Sequence, residues 1–386
     1  MAARPPPPPT AAQRAWLIIG GTQFMGRALV TLLLEAERSG EHVTLLNRGK
    51  TPTPWLHEHP RLARVKCDRF AERAQFRSLV RGGAWDVIVD FQAFDPPQVD
   101  DAQRRAQTPA GGAEALYIFI STDSVYMASP PPSHGGALRE GDARLPQSAA
   151  ERATVALRDD PYQADYGGGK LRCEALLRER GARWVALRMP DVIGAHDNCG
   201  GFLDLRECVV DGAARIGTST LYQGERNPAA LRHRVSTVFA PDVARAVLCA
   251  ADLAAAEITL MEAGAEGRAG DGVLRRCFNV ACDETPLFEE LCAMVRRAAL
   301  GADAAEALPP IRFDATRDAP MVTVCTGALD TTAWRAATRG AWHPTPLRDA
   351  VRFVAEWYGD PANVTATRDF EAGTASSSSE ESSGSE

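Results

Sequence analysis

The segment DYGGGKLRCE places Tyr166 and Lys170 four residues apart, so on a helix their side chains share one face. There the lysine ammonium stabilises a tyrosinate and draws the phenol, ordinarily near pKa ~10, toward neutrality. A phenol tuned in this way can take and return a proton beside a centre that gains or loses hydride. The same spacing equally suits an ordinary surface pair. Upstream, YIFISTDSVY reads as a strand followed by Ser121, Thr122, Asp123 and Ser124. This puts the Thr122 hydroxyl at a carboxyl strand end, where open α/β sheets bind ligands. Thr122 can then hydrogen-bond the substrate oxygen that Tyr166 deprotonates; the plain alternative is a turn capped by Thr and Asp.

A second constellation lies near the start, in LIIGGTQFMGRAL. Gly20, Gly21, Thr22, Gln23, Phe24, Met25 and Gly26 fall between a strand and a helix, where a pyrophosphate sits over free helix amides. Gln23 stands where the middle glycine of such a turn is expected. A side chain there must point out of the turn, and its amide can hydrogen-bond phosphate or ribose. A tight strand-to-helix turn without ligand remains the alternative. The next strand ends in LLNRGK. Asn47 can hold a ribose hydroxyl without the charge of a carboxylate, and Arg48 can pair with a 2′-phosphate, which tilts the cofactor expectation from NAD toward NADP. Asp68 is placed to touch the adenine, and Asp90 and Gln92 to line the cofactor groove, although each also suits an ordinary loop.

The elements that must position these groups follow from short apolar runs: AWLIIG, HVTLLN, ARVKCD, WDVIVDF, ALYIFIST and RWVALRM. Their length and β-branched content read as buried parallel strands, and the segments between as crossovers. The expected fold is a doubly wound parallel α/β sheet with a smaller C-terminal α/β lobe. The division expected is a cofactor-binding unit over 15–190, with 234–256 returning to it, and a substrate lobe from 191–233 and 257–360. In the lobe, Thr285 reads as a helix N-cap with Pro286 at the first helical position. The Pro-rich start, 1–14, and the Ser/Glu-rich end, 361–386, read as disordered tails. The Pro/Gly-rich stretch between Tyr126 and Asp160 reads as a substrate cover or as disorder.

With 386 residues, 45% hydrophobic, the chain can bury a sizeable core. Its formal net charge of −7 gives no drive toward phosphate backbones or anionic membranes, so nucleic acid is a weak default partner. The nine cysteines are scattered without CxxC pairs or clustered histidines, which points to reduced thiols, a cytoplasmic setting and no metal. No apolar run approaches the ~20 residues of a membrane-spanning helix.

Taken in order, the glycine turn, WDVIVDF, STDSVY, YGGGK, LRMPDVIG, STVFAPDVARAV, FNVACDETP and WHPTPLRDAVRFVAEWY resemble the extended short-chain dehydrogenase/reductases of the NAD-dependent epimerase/dehydratase family, over residues 15 to 358. The resemblance implies a Rossmann sheet and a catalytic set of Thr122, Tyr166 and Lys170, with the last two also touching cofactor. It implies hydride transfer at a hydroxyl or carbonyl of a sugar or nucleotide-sugar, and makes a homodimer one expected assembly. Ser124 stands where dehydratases carry a glutamate, which disfavours dehydration. Asp191 replaces the usual substrate-side asparagine; its charge repels a diphosphate unless Arg188, Arg232 or Arg234 compensates. Asp123, Ser124, Asp191, Arg232 and Arg234 are thus the substrate-side candidates. GGTQFMG is close to the form found in an atypical branch that includes plastid stem-loop RNA-binding proteins, where a long polar residue also replaces the glycine. The reading is an NAD(P)-dependent epimerase or reductase; the alternative is a non-catalytic cofactor- or RNA-binding protein on the same fold.

Overall fold

The computed structural model describes residues 14–35, 40–103, 114–156, 161–211, 215–219, 221–222, 225–226, 234–263, 272–318, 320–321 and 327–370. The first half alternates strand and helix: β1 (Arg14–Ile19), α1 (Phe24–Leu34), β2 (Glu41–Asn47), β3 (Leu62–Lys66), α2 (Arg73–Gly82), β4 (Val87–Asp90), α3 (Pro96–Gln103) and β5 (Leu116–Thr122). After a 3-10 turn, Asp123–Tyr126, come α4 (Ala149–Ala156), α5 (Pro161–Arg180), β6 (Trp184–Met189) and β7 (Asp191–Ile193). The remainder comprises α6 (Gly201–Val210), β8 (Arg215–Ser219), β9 (Leu221–Tyr222), β10 (Glu225–Arg226), β11 (Thr237–Phe239), α7 (Ala240–Glu262) and β12 (Arg276–Asn279). It closes with α8 (Phe288–Leu300), α9 (Ala302–Ala307), β13 (Arg312–Asp318), α10 (Thr332–Thr338) and α11 (Leu347–Trp357).

Seven strands build one sheet in the order β12-β6-β5-β4-β1-β2-β3, every pair parallel. The six apolar runs read from the sequence are β1 to β6. Because successive side chains point to opposite faces, each strand supplies two cores. On one face Trp16, Ile18, Val89, Ile118, Ile120 and Leu187 pack with α1 and α7; on the other Leu17, Ile19, Ile88, Tyr117, Phe119 and Trp184 pack with α2, α3 and α5. Truncating a central residue such as Ile118 to Ala would cost about 2–5 kcal/mol. A separate core in the second half gathers α6, α8 and α11 around Phe202, Leu205, Phe288, Leu291 and Val354.

The sheet is completed by an unexpected segment. β11, inside the stretch expected to return to it, pairs instead with β7. The seventh strand is β12, from the stretch assigned to the lobe, registered on β6 through Cys277↔Ala186 and Phe278↔Leu187. Its short apolar run is buried on both faces, which suits an added parallel strand.

Three further boundaries differ. Thr285 is not an N-cap: α8 begins at Phe288, the Leu287 N–H donates to Glu290 Oε2 at 2.8 Å, and the Thr285 carbonyl accepts Arg234 Nη1 at 2.7 Å. Arg14, placed in the N-terminal tail, opens β1 and pairs with Glu41. Residues 361–370, placed in the acidic tail, form a helix; Val364 packs on the second core and Arg368 pairs with Asp204 and Glu207. The remainders of both tails lie outside the described residues. The cysteines among the described residues form no disulfide, and burial pushes thiols such as Cys173 and Cys277 up to about 12. Among the described residues no helix is long and apolar enough to cross a membrane.

Candidate functional site

The glycine turn follows β1 directly. Gly20 takes φ +90°, in the left-handed region, and a Cβ there would meet Gln92 Cγ at 2.5 Å. A Cβ on Gly26 would meet the Gly20 carbonyl oxygen at 2.5 Å, so the start of α1 is pressed onto the turn. Gln23 sits at φ −140°, ψ 165°, as the N-cap residue of α1. That is extended backbone open to any side chain, so the missing glycine is not required by conformation. The positive φ falls one residue later, on buried Phe24 at +46°. Thr22, Gln23 and Met25 are half-buried around the unpaired amides of the helix start.

At the end of β2, Asn47 Oδ1 accepts the Gly49 N–H at 2.7 Å, closing a side-chain turn, and Arg48 is exposed. Asp68 is similarly engaged, with Oδ1 accepting the N–H groups of Phe70 and Ala71 at 2.9 and 3.2 Å. Asp90 departs from its expected role. It is fully buried, gripped by both Arg69 guanidinium arms at 3.0 and 3.1 Å and by the Tyr117 hydroxyl at 3.0 Å. A carboxylate in that position ties the loop after β3 to β4 and β5 instead of lining a groove. Gln92, two residues on, is exposed and leans on Gly20.

The proposed proton-transfer pair lies on α5. Three consecutive glycines precede Lys170, each costing about 1 kcal/mol relative to alanine within a helix. Close packing explains two of them. A Cβ on Gly167 would run into the Ser124 carbonyl, and one on Gly169 into the Phe94 carbonyl. The helix therefore lies directly against the turn after β5 and the loop after β4. Lys170 is 2% exposed; its Nζ donates to the Ile120 carbonyl at 2.7 Å and lies 4.8 Å from the centroids of Phe94 and Phe119 and 5.7 Å from that of Tyr166. Burial among these rings lowers its pKa to about 8. Tyr166 is half-buried, tilted against Phe94 at 5.9 Å between centroids. Thr122 Oγ1 accepts the Ser124 N–H at 3.1 Å, so the hydroxyl caps its own turn. Phe94 and Phe119, which the sequence reading passed over, form the cage around the lysine.

On the substrate side, Asp123 and Ser124 are buried beside Thr122, with oxygen separations of 3.3 and 3.2 Å. Asp191 is half-buried at the start of β7, opposite Thr237 of β11. Of the arginines expected to offset it, Arg188 is fully buried and bonded to Glu174, so it faces no ligand. Arg234 is exposed but directs Nη1 to a backbone carbonyl, and Arg232 lies outside the described residues. Near the lobe, burial and the Arg27 charge lower the pKa of His196 to about 4.

Comparison with known proteins adds the lineage. The chain is 25% identical over 199 residues to the chloroplast stem-loop binding protein of 41 kDa b of Arabidopsis thaliana, a match over 48% of this chain and 43% of that relative's length. Among solved structures, the Bordetella bronchiseptica enzyme WbmH in complex with NAD+ superposes with a TM-score of 0.60 at 19% identity, covering 90% of this chain and all of that one. The UDP-N-acetylglucosamine 4-epimerase of Methanobrevibacter ruminantium, in complex with UDP-N-acetylmuramic acid, gives 0.57 at 14% identity, covering 90% and 98%. These likenesses establish a Rossmann-like α/β fold. The sequence pattern of the NAD dependent epimerase/dehydratase family matches residues 16–260. By that match, the chain belongs to the NAD-dependent epimerase/dehydratase family.

Proposed function

We propose that the protein is an NAD(P)-dependent enzyme of epimerase or reductase type, acting on a hydroxyl or carbonyl of a sugar or nucleotide-sugar, with Tyr166 as general acid/base. The observation that carries this reading is the buried Lys170 ammonium, 5.7 Å from the Tyr166 ring centroid and anchored at 2.7 Å on the Ile120 carbonyl at the end of β5. The residues present fit a dinucleotide, since the turn would lose its room if Gly20 or Gly26 carried a Cβ. Gly20, Gly21 and Gly26 would hold its pyrophosphate, Asn47 and Arg48 its adenosine ribose, and Gln92 the edge of the groove.

When bound, the nicotinamide supplies reversible hydride acceptance. The chain itself moves the proton. The Lys170 charge favours the ionised phenol, so Tyr166 Oη can take the proton of a substrate hydroxyl and return it to the carbonyl oxygen. Thr122, at the end of β5, would orient that oxygen once its capped hydroxyl turns toward ligand. The NAD+ complex of WbmH supports NAD for this chain, whereas exposed Arg48 supports acceptance of a 2′-phosphate as well. The nucleotide-sugar complex among the structural neighbours supports a substrate of that class.

Denaturing the purified protein and weighing the released nucleotides, with parallel NAD+ and NADP+ titrations, tests the reading. Retained NAD would support a closed epimerase cycle, and reversible NADP binding a net reductase. Binding of neither would overturn it. The match to a stem-loop binding protein favours RNA as the second reading; a net charge of −7 weighs against it. Salt-dependent binding of a stem-loop RNA by the cofactor-free chain would decide for it.

A further inference from the structure

Asn279, the last residue of β12, is completely buried, yet each of its amide groups is occupied by a distant part of the chain. Its backbone N–H donates to Glu140 Oε1 at 2.9 Å. Its side-chain nitrogen donates to the Leu138 carbonyl at 2.9 Å and to the Asp330 carbonyl at 3.1 Å. Its side-chain oxygen accepts the Tyr126 hydroxyl at 2.6 Å. The two segments above it are joined to each other, Leu138 N–H to the Ala328 carbonyl and Asp330 N–H to the Leu138 carbonyl, both at 2.8 Å.

A second buried group closes the circuit. Arg188 Nη1 donates to the Tyr126 hydroxyl at 3.0 Å and to the Glu140 carbonyl at 2.9 Å. Tyr126 ends the 3-10 turn that starts just after Thr122, and α5 packs on that turn through Gly167. The stretch between Tyr126 and Asp160, expected to be either cover or disorder, is thus ordered over its described part and held down at residues 138–142.

We propose that Asn279 is a positioning residue that fastens residues 138–142 over the carboxyl ends of β5 and β6 and, through Tyr126, fixes the turn that carries Thr122. The proposal rests on the reading of this end of the sheet as the substrate side. A buried amide that ties three separate segments does so at a single point, so its removal should loosen those segments and leave the far strands untouched.

Amide hydrogen exchange on the full chain tests this. Asn279→Ala should speed exchange at Leu138 and Asp330, and at Met127 and Ala128, whose N–H groups bond the Ser124 carbonyl, by about tenfold or more, with β1 and β2 unchanged. Tyr126→Phe should speed only Met127 and Ala128. Glu140→Ala should loosen 138–142, and Glu140→Gln, which keeps the acceptor, should restore wild-type exchange. Uniform loosening of the sheet, or no change at these four amides, would overturn the proposal. Should Asn279→Ala not fold, Tyr126→Phe and the Glu140 pair decide alone. An NAD+ titration of the wild-type chain separates the two ideas, because its failure would remove the enzymatic reading while the exchange pattern still judges the clamp.

Discussion

Arg188 closes on Glu174 with Nε to Oε1 at 3.0 Å and Nη2 to Oε2 at 2.6 Å, and neither side chain retains any solvent exposure. Ser121 Oγ adds a third bond to the same carboxylate at 2.7 Å. Removing two charges from water is costly, but opening such a pair leaves one charge stranded. Glu174→Gln should therefore destabilise the protein by about 3–5 kcal/mol, measured by urea unfolding at pH 7.

Acid should act on the same pair. Burial alone would raise the Glu174 pKa, but the Arg188 charge and hydrogen bonds overcome it and hold the carboxyl at about 2, against an ordinary 4.5. A carboxyl whose folded pKa lies below its unfolded one contributes stability above the unfolded value and loses it as pH falls toward the folded one. The stability curve should therefore drop between pH 4.5 and about 2, and the drop should be shallower in Glu174→Gln.

Lys170 should shift stability with pH in the same direction but in a higher window. Its folded pKa of about 8 lies below the ordinary 10.5, so between these values the unfolded chain binds more protons, and this lysine's contribution to stability rises with pH. Lys170→Met should flatten that rise in unfolding free energies measured from pH 8 to 10.5.

For the proposed chemistry, Tyr166→Phe removes only an oxygen. Turnover of the substrate identified in a nucleotide-sugar panel should fall by about 10²–10⁴, with cofactor affinity nearly unchanged. An unchanged rate would remove Tyr166 from proton transfer.

The turn after β1 makes two opposite predictions. Gly26→Ala forces a Cβ against the Gly20 carbonyl and should abolish NAD+ binding by calorimetry. Gln23→Gly removes a side chain from a position whose backbone is already extended, so it should tighten NAD+ while lowering stability by up to about 1 kcal/mol.

The six strands of the first half were legible because buried parallel strands are short, apolar and bounded by turns. β12 was not, since four residues carry too little periodicity to assign to a sheet that lies far back in the chain. At the site, spacing alone placed Tyr166 and Lys170 on one helix, and the glycines marked the turn. Asp90 misled because a strand-end carboxylate looks the same in sequence whether it meets a ligand or a buried arginine; Arg69 and Tyr117 decide the matter only in three dimensions. The cage of Phe94 and Phe119 and the reach of Asn279 escaped for the same reason, as contacts between residues far apart in sequence carry no local signal.

The late arrival of β12 also orders events during synthesis. Thr122, Tyr166 and Lys170 have all been polymerised well before Asn279, the residue beneath the 138–142 segment. At about 5–20 residues per second the interval between Thr122 and Asn279 is on the order of ten seconds. From Met189, which ends β6, to Asn279, for about 5–18 s at that rate, the nascent chain carries β6 with its β12 edge unpaired and Arg188 without its Tyr126–Asn279 partnership complete. Until β12 covers it, that open β6 edge is a template for mispairing with another strand, so the last strand to be made is also the one that closes the sheet against aggregation.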